Sequence, residues 1–323
     1  MDNRIVYQNA NEPWIRYLTL VELLHQDPKS NEVVQAKKAM LAHPLIQAVL
    51  GELKDWPGVV LSSHKSANQL YHKLEFLAEL GLTEEDATLS AVLNAIEAHV
   101  TGEGLFTLPT TIPIMYGGTG EKTEAWAACD APVLLYCVAK MRKNGLEIAR
   151  KGTEYLMSLH RENGWPCAVS PLLKDWHGPG KKSDPCPYVT LIMLKLLSLY
   201  PEYQNSLPVQ EGIESLLHLW DNSWTLHPYI FYMGTDFRKL KLPFVWYDIL
   251  HVADVLSRYE SVFSDPRFTS LLQVIESKRT PEGTIIPEAI WKPWDQWDFG
   301  QKKQPSMSLR FFVDRILYRH KAH

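Results

Sequence analysis

The chain has 323 residues, with 33 Lys and Arg against 37 Asp and Glu, which gives a net charge of −4. That balance excludes an acidic tail protein and a general nucleic-acid binder, which would be clearly basic. Hydrophobic residues make up 46% of the chain, enough for a sizeable core and too many for wholesale disorder.

In chain order, the start MDNRIVYQNANEPW lacks a basic segment followed by an apolar one, so no secretory signal is expected. Residues 14–25 carry apolar side chains at helical spacing, and Pro13 suits a first helical position. Pro44 opens a helix whose stripe is Leu45, Ile46, Val49, Leu50 and Leu53. Helical patterns then cover 70–80, 88–99, 131–143, 147–160, 188–200, 209–220, 245–259, 268–277 and 306–318. No segment alternates with a period of two, so little sheet is expected. The longest apolar runs, such as 131–139, are too short to span a membrane. Cys129, Cys137, Cys167 and Cys186 form no CxxC pair and read as reduced thiols of a cytoplasmic protein.

The helices repeat. Similar turns end alternate helices at 102–106 (GEGLF), 162–166 (ENGWP) and 281–285 (PEGTI), with a degenerate copy near 220–224. Gly104 and Gly164 are 60 residues apart, and Gly164 and Gly283 are 119 apart, about two periods. After each turn comes a polar loop and a second, more apolar helix, starting near Asp130, Asp184, Asp248 and Pro305. An earlier copy runs from Trp56 to the helix near Leu70. The set Asp236-Phe237, Lys241 and Pro243 recurs 62 residues later as Asp298-Phe299, Lys303 and Pro305. The first helix of each hairpin is amphipathic and the second is apolar nearly all round, as a buried element would be. Such hairpins could stack as an open solenoid, but buried second helices favour closure. The pattern predicts an all-α fold, an α/α toroid of about five to six helical hairpins with long connecting loops. It would form one domain over 1–323, with 1–43 a helical N-terminal extension.

With its Gly104-Leu105-Phe106 and Gly164-Trp165 turns, the chain resembles the terpenoid cyclase and protein prenyltransferase superfamily over roughly 45–318. The resemblance implies a site in a central cavity, beside the starts of the second helices. Protein prenyltransferase β-subunits use an Asp and a Cys two residues apart, plus a later His, as zinc ligands. Asp184 and Cys186 match that spacing, and Asp248 or His251 stands near the His position. Such a Zn2+ would keep an open position to activate a thiol. The family's His follows an aromatic pair, and Asp248 stands in that place here with His251 one turn further on; Pro185 and Pro187 also depart from the family pattern. Read without the resemblance, Asp184 simply caps a helix and Cys186 fills space.

Four further features bear on function. Lys181, Lys182, Arg238, Lys239, Lys241, Lys302 and Lys303 all precede second helices and would line one rim of a toroid. A diphosphate or other polyanion would suit such a rim, although solvated loop charges explain the same residues. Asp130 and Asp248 are candidate acids, alone or as a carbohydrate-active pair, and Asp130 is also a natural helix cap. His64 and His72 fall in the first hairpin, where either could face a cavity. Tyr188, Trp246, Tyr247 and the other loop tryptophans could line an isoprenoid cavity. The segment 117–123 (GGTGEKT) lacks the ending and the preceding strand of a phosphate loop.

Together these readings point to a prenyltransferase- or terpene-cyclase-like protein. Its expected ligand is a small amphipathic or isoprenoid anion, with no nucleic acid. Asp130, Asp248 and His251 would be catalytic, and Lys181, Lys182, Tyr188, Arg238, Lys239, Trp246, Tyr247, Lys302 and Lys303 would bind substrate. A non-catalytic toroid binding a peptide or lipid, and a carbohydrate-active hydrolase or lyase, are the alternatives. Protein prenyltransferases work with a second subunit, and the resemblance leaves open whether this chain does.

Overall fold

Helices form where the sequence places prolines and polar caps. The computed structural model describes residues 3–174, 176, 181–228 and 231–321. In it, α1 (Asn3–Gln8), α2 (Pro13–Leu18), α3 (Asn31–Ala42) and α4 (Pro44–Glu52) come first. Then follow α5 (Leu70–Glu79), α6 (Leu89–Glu97), α7 (Ala131–Met141), α8 (Gly145–Ser158) and α9 (Pro187–Leu197). The last are α10 (Leu207–Asp221), α11 (Ile249–Leu256), α12 (Pro266–Glu276) and α13 (Met307–Lys321). The fold is therefore mostly helical. Among the described residues the one sheet is a hairpin, β1 (Leu108–Thr111) against antiparallel β2 (Lys122–Ala125). The glycine-rich segment 117–123 connects its strands and runs into β2.

Two helices depart from expectation. The predicted helix over 14–25 splits into α2 and a π-helical turn, Thr19–Leu23. Helix α3 was not expected, because only Val33 and Met40 of its residues are buried and its stripe is thin. Ser30 starts it, its hydroxyl accepting from the Val33 amide (3.4 Å).

The contrast between first and second helices is sharp. Every residue of α5, α9 and α11 is buried. Helix α8, by contrast, buries only Gly145, Ala149, Gly152, Thr153 and Leu156. Packing follows this order: α5 meets α7, α7 meets α9, α9 meets α11 and α11 meets α13. Arg315 of α13 in turn reaches Glu79 of α5 (3.3 Å). The outer partners are α8 on α7, α10 on α9 and α12 on α11. Apolar burial is continuous from Tyr7 to Ile316 in one cluster. No helix among the described residues is long and apolar enough to cross a membrane.

The repeat turns share a geometry. Gly104, Gly164 and Gly283 all have positive φ (83°, 105° and 76°). Each turn carries an isolated antiparallel bridge, Val100–Phe106, Arg161–Gly164 and Arg279–Ile285. Gly164 is closely surrounded, because a Cβ there would lie 2.8 Å from Thr190 Oγ1 and 3.0 Å from Ser215 Oγ. The next amide, Trp165 N–H, donates to Thr190 Oγ1 (3.0 Å), and the Trp165 indole donates to the Leu156 carbonyl (2.9 Å). This turn thereby ties α8 to α9.

Candidate functional site

The starts of α7, α9 and α11 come together. Tyr188, one residue inside α9, stacks on Trp246 (4.1 Å between centroids, 27°) and donates its hydroxyl to the Val245 carbonyl (3.3 Å). Trp246 stacks in turn on Phe231 (5.6 Å, 20°). Tyr71, at the start of α5, donates to the His64 carbonyl (3.0 Å). Burial drives the Tyr71 and Tyr188 hydroxyls well above the ordinary phenol range, and nearby Asp130 adds to the shift in both.

Asp130 is fully buried ahead of α7. Its Oδ2 lies 2.7 Å from His64 Nε2, and its Oδ1 accepts from the Ala127 amide (3.2 Å). Both oxygens are engaged, so Asp130 is held by its neighbours as well as placed at a helix start. The His64 carbonyl accepts from His72 Nε2 (2.8 Å), which links α5 to this pair.

Asp248 and His251 form the second group. Asp248 Oδ1 caps α11, accepting from the His251 amide (3.0 Å). Its Oδ2 is buried without a hydrogen-bond partner, and Lys241 Nζ stands 3.9 Å away. Burial raises the Asp248 carboxyl to about 6, against the opposing pull of Lys241 and of the backbone amides. His251 donates Nδ1–H to the Trp246 carbonyl (3.0 Å) and stacks on Phe244 (4.9 Å, 12°). Its Nε2 is therefore a buried lone pair without a partner. Burial, helped by Lys195, lowers the imidazole to about 4. At neutral pH the group is a carboxylate and a neutral imidazole, one turn apart on one helix.

The zinc set is not assembled. Among the described residues no three His, Cys, Asp or Glu side chains gather as a metal site. Asp184 Oδ2 accepts from the Lys181 amide (3.3 Å), closing a local turn. With Lys181 it faces an open cleft of about 570 Å³ beside α10, lined also by Glu162, Glu214, His218 and His227. Cys186 starts α9 as a buried residue, its amide donating to the Trp165 carbonyl (2.7 Å). Asp248 and His251 are committed to the α11 cap and to Trp246. These four residues therefore do not fit a single Zn2+.

The basic rim is dispersed as well. Arg238 lies over the Trp220 and Trp224 rings (4.7 and 5.0 Å) and donates to the Met233 carbonyl (3.2 Å). Lys239 pairs with Asp236 (2.6 Å). Lys181, Lys182, Lys302 and Lys303 are exposed. Tyr247 turns its hydroxyl toward Met233 Sδ (3.6 Å), and its ring meets Phe231 edge-on (5.4 Å). Only Lys241, over the Trp291 ring (4.6 Å), stands beside a buried carboxyl at this end.

At the other end of the same helices lies a charge cluster that sequence reasoning missed. Glu79 accepts from Tyr136 (2.5 Å) and pairs with Lys195 (3.1 Å), Arg258 (3.2 Å) and Arg315 (3.3 Å). Asp254 pairs with Arg258 (2.7 Å), Arg315 (2.7 Å) and Arg319 (3.1 Å). Lys195 also holds Glu75 (2.7 Å). Burial works against ionising Glu79 and Asp254, but the surrounding cations win and hold both well below the carboxylate range. A signal existed: Glu75/Glu79, Asp254/Arg258 and Arg315/Arg319 are charges four residues apart on otherwise buried helices. Between the two ends, His72, Glu75, Lys195, Leu242, Phe244 and Phe312 border a space of about 10 Å³, room for roughly one water.

Comparison with known proteins adds little to this geometry. No family model matches the chain. A stretch is 32% identical over 102 residues to UvrABC system protein C of Hyphomonas neptunium, covering 29% of this chain and 16% of that protein. The chain thus spans about a sixth of the length of this curated relative. Among solved structures, a protein from Actinoplanes aligns over 96% of this chain and 88% of its own length, at 12% identity and a TM-score of 0.41.

Proposed function

We propose that the chain is a single α/α toroid of the terpenoid cyclase and protein prenyltransferase type, with α5, α7, α9, α11 and α13 as its inner ring. Its reading is cyclase-like: an amphipathic isoprenoid lies against Tyr188 and Trp246, and a carboxyl at that end supplies a proton. The observation that carries this is Asp248. It is fully buried, one oxygen lacks a partner, and its carboxyl is raised to about 6, so it holds a proton under mildly acidic conditions. Tyr188, Trp246 and Phe231 stack on one another there and would give an apolar wall for the isoprenoid chain. Lys241 is the cation placed to meet an anionic head group, and the free thiols suit a reducing cytoplasm. The zinc-dependent transferase version has less support, because its ligands are apart. So does diphosphate binding in the side cleft, where Glu162, Asp184 and Glu214 outnumber Lys181.

A second reading, a toroid that binds a peptide or lipid without converting it, is favoured by the zinc-type residues not gathering among the described residues. One experiment separates the two. Farnesyl diphosphate and farnesol are titrated calorimetrically into wild-type, Trp246→Ala and Asp248→Asn protein, and products are sought by gas chromatography. The cyclase reading expects binding weakened about tenfold by Trp246→Ala, which is ~1.4 kcal/mol. It also expects product formation that Asp248→Asn abolishes while binding survives. Binding without product supports the second reading. No binding of either probe overturns both.

A further inference from the structure

Cys129 and Cys167 are 38 residues apart in sequence, and the fold sets them opposite one another. Residues 126–128 run antiparallel to residues 168–170: Ala127 bridges Val169, the Ala128 amide donates to the Ala168 carbonyl (2.8 Å), and the Ser170 amide donates to the Trp126 carbonyl (2.9 Å). The bridge is isolated, and the chain turns into α7 at once, the Asp130 amide donating back to the Ala127 carbonyl (3.0 Å). Cys129 lies in that turn and Cys167 just before the paired residues, so both flank the same end of the bridge. The Cys129 thiol is in hydrogen-bonding contact with Cys167, and also with Cys186. Cys129 is buried, whereas Cys167 is half-buried.

We propose that Cys129 and Cys167 form a reversible disulfide when the protein meets a peroxide. Cys167, the accessible partner, reacts first. Its thiolate attacks the O–O bond, the sulfur becomes a sulfenic acid, and the departing hydroxide takes a proton to give water. The Cys129 sulfur then gives up its proton and attacks the Cys167 sulfur, which forms the S–S bond and releases a second water. Two thiols are oxidised and one peroxide is reduced, and a dithiol reverses the step. The hydrogen bonds to Cys167 and Cys186, together with burial, keep the Cys129 thiol protonated, which makes it the resolving partner and leaves the first attack to Cys167. The cross-link would fasten the loop ahead of α9 to the residue before Asp130, and so hold the Asp130–His64 pair against α9. It stands independently of the proposed function.

The test treats the full chain with hydrogen peroxide, alkylates remaining thiols, digests without reductant and maps peptides by mass spectrometry. The expected result is a Cys129–Cys167 peptide lighter by two hydrogens and a fall in alkylatable thiols from four to two, restored by dithiothreitol. Cys186→Ser keeps the cross-link, and Cys129→Ser leaves Cys167 as a sulfenic acid that dimedone traps. The proposal fails if all four thiols stay alkylatable at doses that oxidise a free cysteine peptide. It also fails if the cross-link maps to Cys129–Cys186, or if wild-type Cys167 overoxidises without forming one.

Discussion

Asp248 and Asp254 lie at opposite ends of α11, both with 0% exposure, yet burial has opposite results for them. Asp248 faces one cation at 3.9 Å and is pushed up to about 6. Asp254 is gripped by Arg258, Arg315 and Arg319 and stays ionised far into acid. Desolvation acts on both, and the number of close partners decides the sign. The Asp254 end therefore reads as architecture, charges consumed in holding five helices together. The Asp248 end keeps an unpartnered oxygen and an unpartnered imidazole nitrogen. At the Asp254 end the unpartnered atoms are the Nε of Arg258 and Arg315, whose terminal nitrogens are all paired, so what distinguishes the Asp248 end is an unpartnered acceptor on each of its two groups.

The comparison can be broken most forcefully at Asp254. Asp254→Ala removes the common partner of three arginines and leaves buried cations uncompensated, which costs about 3–5 kcal/mol. Urea denaturation should show that loss or failure to fold. A loss under 1 kcal/mol would mean that the cluster is not what holds this end.

The next effect is a pH dependence. Between about 4 and 6.5, His251 is neutral when folded and protonated when unfolded, so its contribution is full above 6.5 and is lost as pH falls toward 4. Asp248 is protonated when folded and ionised when unfolded between 3.8 and about 6, so its contribution is full below 3.8 and is lost as pH rises through 6. The proton counts oppose each other, so wild-type stability should be nearly flat with respect to this pair. Asp248→Asn should unmask the histidine, with stability climbing from pH 4 to 6.5 by on the order of 2–3 kcal/mol. His251→Gln should unmask the carboxyl, with stability falling over pH 4 to 6 by a similar amount. Denaturant midpoints at several pH values check both, and parallel pH profiles for all three proteins would sink the idea.

Two smaller changes sharpen the contrast by lying outside it. Gly164→Ala puts a Cβ on a φ of 105° and within 2.8 Å of Thr190 Oγ1, so thermal unfolding should show a loss of about 1–2 kcal/mol with no change in pH profile. Lys302→Ala, at an exposed loop lysine, should shift stability by less than about 0.5 kcal/mol.

Much of the helical frame was legible in the sequence. The apolar second helices, Pro187 and Pro266 near helix starts, and the glycine turns at 104, 164 and 283 all carry local signals, and the helices and left-handed turns form there. The site was legible only in part. Asp130 and Asp248 announce themselves as residues before helices, but their difference depends on which loop residues fold back onto them: His64, 66 residues away, on Asp130, and Lys241, from the preceding loop, beside Asp248. The zinc reading loses support for a related reason: Asp184 and Cys186 are two residues apart, yet one faces a side cleft and the other the core. Neighbours in sequence at a helix start point in different directions, and spacing alone does not reveal which. The charge cluster was visible as charges on buried helices, but its pairing joins residues up to 236 apart.

The most direct measurement is the titration of Asp248 itself. Carboxyl ¹³C shifts of aspartate-labelled protein, with Asp248→Asn and Asp254→Asn spectra for assignment, report both ends of α11 in one experiment. The account predicts a midpoint near 6 for Asp248 and an Asp254 signal that stays ionised throughout the range in which the protein remains folded. An Asp248 midpoint at or below 4 would contradict it, because the carboxyl would then be as fully supported as its counterpart and would hold no proton to give.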